Sequence, residues 1–140
     1  MPNINELRGL QTVLRNMATR IGRVETRWGF ALKAAGLLLQ RESQKLVPVD
    51  FGFLKASAYT RATGTGLATV VQVGYTASYA VYVHEAVGMV LKGQPRRPNP
   101  PHKGRYWDPQ GQTQAKFLEQ PWRTMRKPML QLIKDTIGKV

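Results

Sequence analysis

Apolar residues set a clear rhythm over the first third of the chain. Leu7, Leu10, Leu14, Met17, Ile21, Val24, Trp28, Ala31, Ala35 and Leu38 recur at alternating steps of three and four. That spacing keeps one stripe on one face of a helix. Asn3 followed by Glu6 resembles a capping box, with Asn where Ser or Thr is usual. The expected helix runs to about Lys45, roughly 60 Å at about 1.5 Å per residue. Gly22, Gly29 and Gly36 each weaken it by about 1 kcal/mol relative to Ala, which leaves room for a break between Gly22 and Gly29. Pro48 stops the helix, because the residue before a proline is pushed towards extended backbone.

The pattern then changes. Val49 to Gly52 reads as a turn, with Asp50 and Gly52 supplying the turn chemistry. Leu54 to Ala62 and Leu67 to Tyr75 read as strands around a Thr63 to Gly66 turn, and Tyr79 to Glu85 as a third strand. On such a strand Tyr79, Val81 and Val83 would share one face, and Ala80, Tyr82 and His84 the other. Both faces carry apolar bulk, which places this strand between the core and a second surface. Residues 88 to 112 read as irregular, with four prolines between Lys92 and Arg105. A last helix is expected from about Gln112 to Ile137, kinked or split by Pro121 and Pro128. The expectation is an α+β fold: a long N-terminal helix, an antiparallel sheet of three to four strands, a long basic loop and a C-terminal helix. One domain would span 1–140, with 1–27 as an extending helix and 89–112 as a long loop.

Charge sharpens this picture. Lys and Arg number 21 against 8 acids, a formal net charge of +13. Such an excess favours a polyanion nearby: nucleic acid, an acidic protein partner or a membrane surface. Residues 51 to 91 carry only Lys55, Arg61 and Glu85 as charges, so the excess lies at the two ends and in the loop. In the loop, Arg96, Arg97, Lys103 and Arg105 could neutralise phosphates without reading bases, and Tyr106 and Trp107 follow directly. Equally, those arginines could meet acidic residues of a partner subunit. No run of eighteen apolar residues is available for a membrane span, so no membrane contact is expected. The first six residues lack a basic segment followed by an apolar one, so no secretory signal is expected.

Candidate chemistry is thin. The chain has no cysteine, hence no disulfide and no thiolate metal site. Asp50 in a turn and Glu85 at a strand end make a poor acid–base pair. On a strand, His84 and Glu85 would point to opposite faces and could not chelate one ion together. His102 sits among cations, so no metal is expected. Ser43, Ser57 and Ser78 sit in no nucleophile motif. No cofactor is expected, and no enzyme.

The order of the pieces is informative. A helix leads to Val47-Pro48-Val49-Asp50-Phe51-Gly52-Phe53-Leu54, then to a Val-rich segment ending Val73-Gly74-Tyr75. Tyr79-Ala80-Val81-Tyr82-Val83-His84-Glu85 comes next, and after the loop Phe117-Leu118-Glu119-Gln120-Pro121 enters the last helix. This order resembles the tail-completion (head–tail connector, minor tail component) family of siphophages and prophages. It covers about residues 30 to 137, with Phe51 where the family usually has Thr and an inserted basic loop. The resemblance implies a structural virion protein at the neck, assembled in the host cytoplasm. It further implies a ring around the DNA channel, hexameric where it meets the tail, with neighbouring neck, stopper or terminator proteins as partners. Tyr79, Tyr82, His84 and Glu85, with Leu7, Leu10 and Leu14, are the candidate subunit contacts. Arg96, Arg97, Lys103 and Arg105 are the candidates for non-specific contact with genomic DNA or an acidic partner. Pro48, Asp50, Gly52, Phe117 and Leu118 would hold the fold. The competing expectation is a free basic nucleic-acid-binding protein.

Overall fold

The fold is built on one helix. The computed structural model describes residues 4–49, 52–86 and 113–138, with side chains from residue 8 onward. Helix α1 runs unbroken from Ile4 to Leu46, 43 residues, or about 65 Å at about 1.5 Å per residue. No break occurs between Gly22 and Gly29. Gly29 and Gly36 instead serve close packing. A Cβ on Gly36 would lie 2.6 Å from Val71 Cγ1 and 2.9 Å from Thr60 Cγ2, and one on Gly29 would lie 3.5 Å from Thr69 Oγ1. The glycines that look like weak points in the sequence let a hairpin lie against the helix. The helix stops at Leu46, two residues before Pro48. The Leu46 carbonyl, which has no partner within the helix, accepts a 2.9 Å hydrogen bond from the Gln114 N–H.

The next segment departs from the expected strand. Gly52 has φ +82, a left-handed conformation that favours glycine. It leads into the single helical turn α2 (Phe53–Ala56), and only then into β1 (Ala58–Thr63). The Ala56 N–H bonds the Gly52 carbonyl and the Ser57 hydroxyl bonds the Leu54 carbonyl, so the turn closes on itself. After β1 a 3-10 turn at Gly66–Ala68 leads to β2 (Val70–Tyr75). The two strands pair antiparallel, from Ala58 opposite Tyr75 to Thr63 opposite Val70. The sheet among the described residues has these two strands, fewer than the three to four expected.

The missing strand is the third. Tyr79 to Glu85 does not extend; α3 (Ala80–Glu85) is a short helix. Ala80 is buried, Val83 and His84 are half-buried, and Val81, Tyr82 and Glu85 are exposed. Positions i, i+3 and i+4 facing inward is helical spacing. In a run this short it coexists with an apparent alternation. After residues 87–112, α4 (Glu119–Thr124) and α5 (Arg126–Gly138) close the chain. The division falls at Met125, between the two prolines, and each proline sits in the first turn of its helix where a missing N–H costs nothing.

Packing surrounds the second half of α1. The hairpin lies on one side and α5 on the other. Ala35 and Leu39 of α1 meet Met129 of α5, with Leu38, Val73, Leu118 and Ile133 around them. The guanidinium of Arg27 reaches the Thr136 carbonyl at 3.5 Å, so α5 runs antiparallel to α1. A second cluster of Val47, Leu54, Ala80 and Phe117 fills the far end. Phe117 is 1% exposed. Its ring meets Tyr75 and His84 edge-on, at 5.1 and 4.9 Å between centroids.

Candidate functional site

The first half of α1 lies on nothing else among the described residues. Every residue from Arg8 to Arg23 is exposed. The body begins where Glu25 approaches Gly66 and Arg27 reaches Thr136. These sixteen or so residues form an arm of about 24 Å. The stripe that buries Ala31 and Ala35 continues along it bare. Leu10, Leu14, Met17 and Ile21 are each more than half exposed, as is Val13 beside them. Soluble monomers seldom leave so continuous an apolar row in water.

The opposite face of the arm is polar and basic. Arg8, Arg15 and Arg23 are exposed there. Thr12, Thr19 and Thr26 alternate with them, each hydroxyl donating to the carbonyl four residues back, all at 3.0 Å. These back-bonds satisfy the threonine hydroxyls on the helix's own backbone. Trp28, where the arm enters the body, encloses its indole N–H without an acceptor among the described residues.

A second surface opens on the body. A groove of about 610 Å³ runs between β2 and α5. Ala35, Gly36 and Leu39 of α1 form its floor, Val71 and Val73 one wall, and Trp122, Leu130 and Ile133 the other. Its lining is chiefly apolar. Trp122 and Leu130 are each more than half exposed although they point along it.

The remaining site candidates gather around α3. Tyr79, Val81 and Tyr82 form an exposed apolar patch. His84 and Glu85 are not on opposite faces as a strand would require. Nδ1 of His84 lies 2.7 Å from Glu85 Oε1. Its Nε2 accepts from the Glu119 N–H at 3.4 Å, which assigns the proton to Nδ1. Lys116 bridges Glu85 and Glu119 with its ammonium and bonds the His84 carbonyl through its own N–H at 2.8 Å. It does so from φ +57, the single positive value at a non-glycine among the described residues. The hydrogen bond from Lys116, then that from His84, holds the Glu85 carboxyl below the usual carboxylate range, and Glu85 raises Lys116 in turn. This cluster joins α3 to the start of α4. It works as a structural latch between two elements that residues 87–112 separate in sequence. Among the described residues no group of three His, Cys, Asp or Glu could hold a metal ion. None of the described helices is long and apolar enough to cross a membrane.

Several expected residues fall elsewhere. Arg96, Arg97, Lys103 and Arg105 lie outside the described residues, as do Asp50 and the side chain of Leu7. Pro48 is half-buried just beyond α1. Leu118 packs into both apolar clusters. Sequence reasoning missed the groove and the Lys116 latch. The groove's one signal was the apolar Trp122 and Leu130, which stand beside the residues that pack inward on α4 and α5. Comparison with protein-family models, curated proteins and solved structures returned no match for this chain.

Proposed function

We propose that the chain is a structural subunit of a tailed-phage neck, building a ring that joins tail to head around the DNA channel, and that it is not an enzyme. The bare stripe of Leu10, Leu14, Met17 and Ile21 carries this reading. A helix that leaves its body with its apolar face uncovered is suited to bind a protein, not to turn over a substrate. The ordered motifs from Pro48 to Pro121 supply the phage resemblance, and with it the virion location and hexameric count. A closed ring needs two different patches per subunit. The arm and the body at the other end of α1 offer them. A net charge of +13 suits a neighbour that is acidic, either DNA passing through or an adjoining ring.

A free nucleic-acid-binding protein is the second reading, favoured by Arg8, Arg15 and Arg23 on the arm's polar face. Sedimentation of the purified chain, with a parallel titration of duplex DNA, separates the two. The neck reading expects closed oligomers of defined mass and weak, sequence-independent DNA binding. A chain that stays monomeric at every concentration and binds a DNA site tightly would contradict it.

A further inference from the structure

The arm carries charge of one sign. From Leu7 to Val24 the chain has Arg8, Arg15, Arg20 and Arg23 and no acid. All four arginines are exposed, and none pairs with a carboxylate among the described residues. Arg20 and Arg23 share a shallow notch with Val13 and Met17, so positive charge edges the apolar stripe on one side. A partner that fits this arm answers both features at once, apolar along the stripe and negative beside it.

We infer that the arm docks on a helical face of a different, acidic protein, one apolar along its centre and lined with carboxylates where Arg20 and Arg23 come to rest. The inference deepens the neck reading and rests on it. The arm joins the ring to its acidic neighbour, and contacts between copies fall to the body.

The chain's own internal stretch 87–112 does not supply the cover. Its two ends are held at the Leu46 end of α1, where the Gln114 N–H bonds the Leu46 carbonyl and the Lys116 N–H bonds the His84 carbonyl. Out and back, those 26 residues reach no more than about 45 Å. Leu14 lies about 48 Å and Leu10 about 54 Å along α1 from Leu46. The stretch also carries Lys92, Arg96, Arg97, Lys103 and Arg105 against Asp108 alone, the wrong sign for the arm. A second copy fits no better. Its Glu42 pairs with Lys45 and Arg41, its Glu85 with Lys116, and its Glu119 with Lys116 and Arg123. Glu25 lies against Gly66, and Asp135 accepts from Gln131. Among the described residues no row of free carboxylates remains, and two copies bring +13 to +13.

Other polyanions answer only part of the arm. Duplex DNA would meet the arginines and leave Leu10, Leu14 and Met17 in water. A lipid surface would take both faces, but from Ile4 to Arg27 the chain has no Trp, Tyr, Phe or Lys, the residues that anchor interfacial helices. Arginine suits two-pronged pairing with carboxylates and is enriched at protein interfaces. The stripe's alternating steps of three and four are the spacing with which one helix meets another, and charges flanking such a seam select the partner.

Binding of the full chain to two designed four-heptad peptides tests the inference. One carries Leu along its seam and Glu on both flanks, and its twin carries Lys on the flanks. The chain should bind the Glu peptide at least about tenfold more tightly than the Lys peptide, and the preference should shrink as salt rises. Arg20→Glu with Arg23→Glu should reverse it. Leu14→Glu with Met17→Glu should remove binding of both peptides and leave the melting of the body unmoved. Equal binding of the two peptides, binding of neither, or a preference that survives the arginine reversal would overturn the inference. Tighter binding to phosphatidylglycerol vesicles or to duplex DNA than to the Glu peptide would overturn it in favour of lipid or of phosphate. The neck reading fails separately. Particles without this chain at the neck would remove that reading whatever the peptides do, and indifference to the peptides would leave a ring at the neck standing.

Discussion

Phe117 shows what a single side chain does here. It joins the end of α1, α2, β2 and α3, and it is the largest fully buried residue of the structure as described. Phe117→Ala should cost about 3–5 kcal/mol, read from urea denaturation. Tyr75, whose ring meets Phe117, also bonds the buried Ser43 hydroxyl at 2.6 Å. Tyr75→Phe removes that partner and should cost about 1–3 kcal/mol. Burial raises the Tyr75 phenol above its ordinary range, against the Ser43 bond that lowers it. Together with raised Lys116, this gives stability that is full below about pH 10 and lost as pH climbs through the folded values. Glu85, lowered chiefly by Lys116, and Glu42, lowered chiefly by Lys45, act at the other end. Their contribution is full above about pH 4.3 and is lost as pH falls through their depressed values. Melting temperature against pH should therefore show a plateau with two falling limbs. Glu85→Gln should make the acid limb shallower. An acid limb unchanged in that variant would mean the latch carries no stability.

At the scale of the element, legibility followed length. The α1 stripe repeats through so many turns that no strand pattern competes with it, and the helix was readable almost to its last residue, though its continuity through Gly22 to Gly29 was not. Its glycines were not. A sequence shows that Gly36 lacks a side chain but not that Val71 and Thr60 come to rest where one would be. The two readings separate by experiment. Gly22, with nothing within 4 Å of a Cβ, should tolerate Gly22→Ala and gain about 1 kcal/mol of local helix stability, seen as slower amide exchange in the arm. Gly36→Ala should lose about 1–3 kcal/mol of global stability through overpacking, despite the better helix former. The third strand failed for the opposite reason. Six residues of Ala80–Glu85 satisfy a period of two and a period of 3.6 almost equally, and burial of Ala80, Val83 and His84 decides for helix. The same misreading hid the His84–Glu85 contact, since neighbours that diverge on a strand can touch on a helix. The groove was invisible because α1, β2 and α5 bring it together from three distant stretches of sequence.

For the whole molecule, what stands out is incompleteness. The body buries a modest core around half of α1, and among the described residues the other half is uncovered. Charge adds a sign to that expectation. Association through apolar surfaces between +13 chains should strengthen from low to moderate salt, while any contact with DNA should weaken over the same range. Light scattering and DNA retention measured on one salt series would show the two curves crossing in direction. Parallel curves would mean that self-association is itself electrostatic. The central claim, a neck subunit, is tested most directly by electron microscopy of the virion. A neck subunit would appear there as a ring between portal and tail tube in which the 43-residue helix of each copy can be traced, its first turns lying on a neighbouring subunit. Density for this chain in the capsid shell or at the tail tip, or its absence from the particle, would contradict it.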